Sequence, residues 1–232
     1  MDAAVGTGLT FAAACRSMAL ACLMAERNAC PRIAPVTEEN LGDLDGLFSR
    51  GDPRWCQCAY FRRSSGDWST SSPAENRAVL ASVVAAAADA GRSAGLIAYR
   101  DGEPVGWVSF GPRAEFARLE ASRLLARVDD KPVWSIVCFV VSAKARRQGI
   151  ARSLLAAAVD YAREHGVRLL EAYPVDTGTN PTTSAALYKG PLSMFKQAGF
   201  RTVAVRQFNR ATPKRPIVRK ALRPKGSAPP VT

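Results

Sequence analysis

Histidine is almost missing from this chain. Its 232 residues include one, His165, and six cysteines, none of them paired at zinc spacing, so no Cys/His metal cluster is expected. Cys56 and Cys58 are too close in sequence for an ordinary disulfide with each other. Together with Cys15, Cys22, Cys30 and Cys138 they read as reduced thiols of a cytoplasmic protein. Acidic residues are missing from one end. From Arg201 to Thr232 there are nine Lys or Arg and no Asp or Glu, so roughly +9 of the formal +12 lies there. Such a stretch attracts anions in general, or is simply a solvated terminus. A long uninterrupted apolar run is missing too. "LTFAAACRSMALACLM" is broken by Arg16, and Asp2 stands where a signal peptide would carry positive charge, which argues against a membrane span or a secretory leader. Residues 1–32 read as a peripheral helix or an upstream extension, with Met24 as an alternative start. No internal repeat is present.

What remains is a chain with 47% hydrophobic residues, ample for one buried core. "RIAPVTEENLGDLDGLF" reads as a strand and then a helix, with Thr37 as N-cap and Leu41, Leu44 and Leu47 on one stripe. "GDPRWCQCAYFRRSSGDWSTSSP" is a loop unusually rich in aromatics, either a lid over the core or the lining of a pocket. "SPAENRAVLASVVAAAADAG" is a helix with Ser72 as cap, Pro73 at its first position, Glu75 completing a capping box and Gly91 closing it. "AGLIAYRDGEPVGWVSFG" is a hairpin about Asp101-Gly102. "PRAEFARLEASRLLARVDDKP" predicts a helical excursion. "VWSIVCFVVS" predicts a strand buried on both faces. A helix follows from about Gly149 to His165, then the strand "RLLEAYPVD" and the long connection "TGTNPTTSAALYKG". A short helix, "PLSMFKQAG", has Pro191 at its first position and Gly199 after its end. Two adjacent terminal strands, "FRTVAVRQF" and "RPIVRKAL", complete the order. The fold class is a mixed α/β sheet with helices on its faces.

"KARRQGIARSLLAAAVDYAREHG" holds the first functional clue. Three basic residues in five crowd the start of a helix, where the macrodipole is already positive. An anion would offset that cost. The first-turn N–H groups lack intrahelical partners, and a glycine there lets a ligand approach the backbone, which together make a cradle for phosphate. Arg146, Arg147 and Arg152 would add charge. No Gly-Lys-Ser/Thr follows, and there is no Gly-x-Gly-x-x-Gly. The plain alternative is arginines that point to solvent.

Arg146-x-x-Gly149-x-Ala151, between a buried strand and an amphipathic helix, resembles the acetyl-CoA pyrophosphate loop of the GNAT superfamily of N-acetyltransferases. "GEPVGWVSF" resembles the family's Gly-x-x-Val-Gly strand, and "MFKQAGF" its late Tyr-x-x-x-Gly-Phe turn. The match runs over about 190 residues, from Ile33 to Leu222. "WCQCAYFR", "PVWSIVCFVV", "EAYPVD" and "LSMFKQAGF" resemble a bacterial subgroup whose substrates are mostly unassigned. The resemblance implies a mixed, mostly antiparallel sheet of about six to seven strands with splayed central strands, spanning residues 33–222, and a basic tail over 223–232. It implies acetyl-CoA as cosubstrate. Arg146, Arg147, Gln148, Gly149, Ile150, Ala151 and Arg152 would surround the pyrophosphate. Phe139, Val140 and Val141 would lie along the pantetheine arm, with a backbone N–H near Phe139 or Val140 polarising the thioester.

The chain departs from the family where an acid is needed. The position of the usual tyrosine is Phe195, which has no proton to give. Tyr188 is the substitute candidate, with Ser193 and Tyr173 behind it, although Tyr188 also reads as an ordinary packing residue. Ser135 stands where some members carry a glutamate base. Glu171 on the next strand is the nearest carboxylate, with Asp129, Asp130 and Asp176 behind it. Glu171 also reads as the partner of an arginine, and water can take the proton instead. A covalent role for Cys138 is disfavoured, because a buried apolar cysteine is usually inert. The leading reading is an N-acetyltransferase acting on a primary amine of a small molecule or protein. The alternative is a catalytically weak acyl-CoA-binding or nucleic-acid-contacting module. The aromatic segment Trp55–Trp68 would line the acceptor pocket and suit a compact apolar or aromatic amine, since no acidic cluster exists to hold a polycation. The partners expected are acetyl-CoA and an amine, with no membrane and no nucleic acid; a homodimer is left open.

Overall fold

Asp101 and Gly102 both take positive φ, 52° and 80°, the backbone a tight hairpin turn requires. They join β2 (Gly95–Arg100) to β3 (Glu103–Pro112). The computed structural model describes residues 30–178, 184–210 and 213–223. The remaining strands are β1 (Arg32–Pro35), β4 (Trp134–Val141), β5 (Leu169–Ala172), β6 (Arg201–Arg206) and β7 (Arg215–Ala221), and the order across the sheet is β1-β2-β3-β4-β5-β7-β6. All neighbours are antiparallel except β4 and β5. The expected mixed, mostly antiparallel sheet is therefore present, with seven strands. Most of the expected N-terminal extension and basic tail lie outside the described residues.

Helices cover both faces. On one side lie α1 (Leu44–Leu47) and α4 (Pro73–Asp89), with the short α2 (Asp52–Cys56) and α3 (Ser65–Ser69) between them in sequence. Helix α4 starts as its sequence predicts: Ser72 Oγ accepts from Glu75 N–H and the Glu75 carboxylate accepts from Ser72 N–H. On the other side lie α6 (Ile150–Glu164) and α7 (Leu192–Gln197). Helix α6 sits close to the sheet because Gly106 of β3 has no side chain. A Cβ there would fall 2.6 Å from Ile150 Cγ2 and 3.0 Å from Leu154 Cδ1. That contact sets the height of the first turn of α6 above the sheet.

The predicted helical excursion after β3 is mostly absent. A 3₁₀ turn at Arg113–Glu115 and the four-residue α5 (Ala117–Glu120) are all that form. The chain instead wraps the buried Arg113 guanidinium, whose Nη2 donates to the carbonyls of Leu119 and Leu125 at 3.0 and 2.6 Å. Arg113 Nη1 also reaches Glu171 Oε1 at 2.9 Å, and Arg219 Nε reaches Glu171 Oε2 at 2.7 Å. Tyr173 Oη donates to Glu171 Oε1 at 2.6 Å, and Arg219 Nη1 continues to Asp129 at 2.7 Å. Fully buried Glu171 thus ties the excursion, β5 and β7 together. Removing one member of such a pair leaves an uncompensated buried charge. Glu171→Gln should lower unfolding free energy by about 3–5 kcal/mol, read as a fall in the urea midpoint; an unchanged midpoint would refute the central place given to this carboxylate.

Candidate functional site

Strands β4 and β5 pair over three positions only, Trp134↔Leu170, Ser135↔Glu171 and Ile136↔Ala172. Opposite β3, the register slips at the same level: Ser109 faces Cys138 and Phe110 faces Ile136. Val137 is therefore an extra residue, a bulge that bends its strand and breaks the ladder. The alternation of faces slips with it. Ile136 belongs to the core under α6, Val137 and Cys138 both belong to the core under α4, and Phe139 returns to the α6 side. Beyond the bulge, β4 runs on to Val141 while β5 has ended at Ala172. The side of β4 facing β5 is open from about Val137 onward. This is the expected splay between central strands.

The open side of β4 leads to the start of α6. Arg146 is extended there, Arg147 takes a φ of 62°, and Gly149 caps the helix with a φ of 82°. The first intrahelical bond runs from Ser153 N–H to Gly149 C=O at 3.0 Å. The N–H groups ahead of it point out of the helix end. Arg146, Arg147, Gln148, Gly149 and Arg152 are exposed, while Ile150 is buried and Ala151 half-buried. A Cβ on Gly149 would meet nothing within 4 Å, so the cradle is open to a ligand. Gln148 is steadied by Arg100 and by donating to Lys144 C=O at 2.7 Å. Val140 and Val141 are half-buried and Phe139 is buried. Of the ten residues expected around the cofactor, Phe139 and Ile150 put their side chains into the α6-side core, and the exposed ones are Arg146, Arg147, Gln148, Gly149 and Arg152.

The other side of the splay is aromatic. The Trp55–Trp68 segment folds onto the α4 face of the sheet, with Phe61 buried and Trp55 exposed. Tyr60 stacks edge-on against Phe61 and Trp68, and Phe61 lies 6.3 Å from the Tyr188 ring. Tyr188 and Lys189 end a 3₁₀ turn, Ser184–Lys189, that packs on β4. Burial, reinforced by Tyr60 and Cys138, raises the Tyr188 hydroxyl above its ordinary value, so it is protonated at neutral pH. Phe195 is buried against Phe139 and Phe200 in the opposite core. Cys138 is a thiol that donates toward Cys58, and this bond and burial push its own pKa up. Cys58 also accepts from the Trp107 indole N–H at 3.0 Å.

The candidate bases are placed differently. Both oxygens of Glu171 are engaged by arginines. Tyr173 and Ser135 are buried in the same network, joined at 2.8 Å. Asp129 pairs with Arg219. Asp176 accepts from Gly178 N–H in a local turn. The four described cysteines are free.

A family model described as "Acetyltransferase (GNAT) family" matches residues 57–189, more than half of the chain. The chain belongs to the GNAT acetyltransferase family. Among solved structures, the histone acetyltransferase HPA2 and related acetyltransferase from Corynebacterium glutamicum is 16% identical. That match covers 87% of this chain and 99% of that one, with a TM-score of 0.54. The yncA candidate acetyltransferase from Salmonella typhimurium, solved with its cofactor acetyl-CoA, is 15% identical over 87% and 99% of the two chains, with a TM-score of 0.51. A GCN5-related N-acetyltransferase from Kribbella flavida is 15% identical over 83% and 98%, with a TM-score of 0.50. At these identities the likeness is one of fold. No curated protein matches. GNAT proteins use acetyl-CoA. No helix among the described residues of this GNAT chain is long and apolar enough to cross a membrane.

Lys189 went unremarked in the sequence, where it is one lysine in a polar connection. Its Nζ lies 5.6 Å from the Phe61 ring centroid and 5.5 Å from that of Tyr188. Burial, then the charge of Arg215, lowers its pKa to about 8. A lysine lowered in the fold destabilises it while protonated, and stability rises as pH climbs from about 8 toward 10.5, where the unfolded chain still holds the proton. The full effect is roughly 3 kcal/mol, or about 1–2 kcal/mol after screening of a half-buried group. Relative to Lys189→Met, the wild-type chain should therefore gain about 1–2 kcal/mol between pH 7 and pH 10. Paired urea titrations check this; a constant difference would contradict the burial of that charge.

Proposed function

We propose that the protein is an acetyl-CoA-dependent N-acetyltransferase that transfers acetyl to a primary amine by direct attack. The observation that carries this reading is the bulge at Val137. It leaves one side of β4 unpaired between an open, arginine-rich helix start and an aromatic wall. Acetyl-CoA supplies an activated acyl group. Backbone groups of Phe139, Val140 and Val141 would pair with its pantetheine arm as an added strand would. Arg146, Arg147 and Arg152 would offset the pyrophosphate charge. An N–H near Phe139 or Val140 would stabilise the negative charge that develops on the carbonyl oxygen.

The amine nitrogen attacks the thioester carbon, the C–N bond forms and the C–S bond breaks. The sulfur leaves as thiolate and takes a proton, for which we assign Tyr188. Its phenol is neutral at pH 7 and lies on the aromatic wall beside β4, so it has a proton to give as the thiolate forms. We assign Glu171 to holding the sheet together and not to proton abstraction, since both its oxygens already face guanidinium groups. Water then carries away the amine proton. The second reading, a catalytically weak acyl-CoA-binding module, is favoured by Phe195 at the usual tyrosine position. Its nucleic-acid version loses support, because part of the basic C-terminal segment is used internally. Arg206 donates to the carbonyls of Ala126 and Arg127, Arg219 holds Glu171, and Lys220 donates to Ala198 C=O at 2.7 Å.

Acetyl-CoA at about 100 times its Kd should add roughly 2.7 kcal/mol and raise Tm by about 5–10 °C. In Gly149→Glu, which puts a carboxylate into the cradle, that rise should vanish. No rise in the wild-type chain would overturn the acetyl-CoA assignment. Tyr188→Phe should keep the rise but lower kcat by about a hundredfold or more, read by thiol release. Full activity in Tyr188→Phe would remove that residue from the mechanism.

A further inference from the structure

Several enclosed arginines in this fold meet carboxylates. Arg113 and Arg219 share Glu171, Arg62 and Arg92 share Glu115, and Arg77 meets Asp45. Others, Arg100, Arg118 and Arg206, meet Gln148 or backbone carbonyls. On the acceptor side of the splay an ammonium lies against aromatic rings instead. Lys189 points between the rings of Phe61 and Tyr188. The titratable groups that act on it are Arg215, a second cation, and the Cys138 thiol. Arg215 opens β7 and is half-buried, and its cross-strand neighbour is another cation, Arg206. Among the described residues, neither Lys189 nor Arg215 forms an ion pair with a carboxylate.

Two enclosed cations without an anion make a site for one. We propose that the acceptor carries an anionic group, a carboxylate or a phosphate, besides its amine, and that Lys189 and Arg215 receive that group beside the aromatic wall. This rests on the acetyltransferase reading above and narrows its substrate class. The chemistry is consistent on both ends of such a molecule. An anion relieves the desolvated ammonium of Lys189. The same two positive charges disfavour a protonated amine nearby, which raises the fraction of neutral amine able to attack. A polycation or a simple alkylamine meets repulsion with nothing to offset it. Phe61 and Tyr188 suit an apolar or flat body between the two groups.

Matched acceptors test this: phenylalanine against phenethylamine for a carboxylate, and O-phosphoethanolamine against ethanolamine for a phosphate, with thiol release as the readout. At least one acid-bearing acceptor should exceed its neutral partner by about tenfold or more in kcat/KM. The pair that shows the preference identifies which anion the site takes. Lys189→Met and Arg215→Gln should erase it through KM with little change in kcat, while the acetyl-CoA thermal shift stays intact. Neutral amines turned over as well as or better than their acid-bearing partners would overturn the proposal. So would a preference that survives in the double variant. Silence from every acid-bearing acceptor would count against it equally, provided acetyl-CoA still raises Tm. If acetyl-CoA raises nothing, the acetyltransferase reading itself has failed, and the two failures are told apart by that single control.

Discussion

One surplus residue in β4 controls this structure. Without Val137 as a bulge, Ile136 and Cys138 would share a face and β4 would keep its register along β3. The slip places two successive side chains in the α4-side core and turns the strand away from β5. Unpaired backbone N–H and C=O groups in a sheet interior are costly, so an opening of this kind persists only if something else satisfies them. A ligand lying along β4 as an added strand does so. The opening is thereby linked to binding by the same hydrogen-bonding requirement that ordinarily closes a sheet.

A sheet split in the middle needs a fastening below the split, and the Glu171 network sits there. Ser135 pairs with Glu171 in the last stretch where β4 and β5 are joined. Arg113 reaches in from the excursion after β3 and Arg219 from β7, so one buried carboxylate is gripped from both halves. Buried ion pairs contribute little net stability against an apolar equivalent, but their geometry is specific. Here the geometry fixes which strands stay together. The opposing halves are free to part above that level because they are pinned at it.

Much of this could be read from the residues. The capping box at Ser72, the Asp101-Gly102 hairpin, the two terminal strands and the arginine-rich start of α6 each rest on a local signal, and each is found. The misses have non-local causes. The excursion after β3 carries a helical pattern, yet its carbonyls turn inward to a buried guanidinium. The bulge at Val137 hides in "SIVCFVV", a run with no Gly or Pro to mark it. Pro191 sits one position earlier than expected, at the helix cap. Glu171 and Lys189 show the same limit from opposite sides. The sequence leaves the glutamate open between base and partner of an arginine, and the arginines that decide it lie 58 and 48 positions away. The lysine has no local signal, and it lies against the ring of Phe61 from a distant segment and that of its neighbour Tyr188.

Phe195 gains a physical account in this setting. Its ring belongs to the α6-side core, against Phe139, the residue just past the parity slip. A hydroxyl at that position would sit beneath the sheet among apolar side chains, where an unsatisfied polar group is costly. Tyr188 and Lys189 occupy the opposite face, with Cys138 and Tyr60 for neighbours. Proton donation and charge recognition, on our reading, both fall to one short turn on the acceptor side of β4. That placement joins the two chemical needs of the reaction. A neutral phenol on that face can protonate the departing thiolate, and a cation on the same face can hold an anionic group of the acceptor.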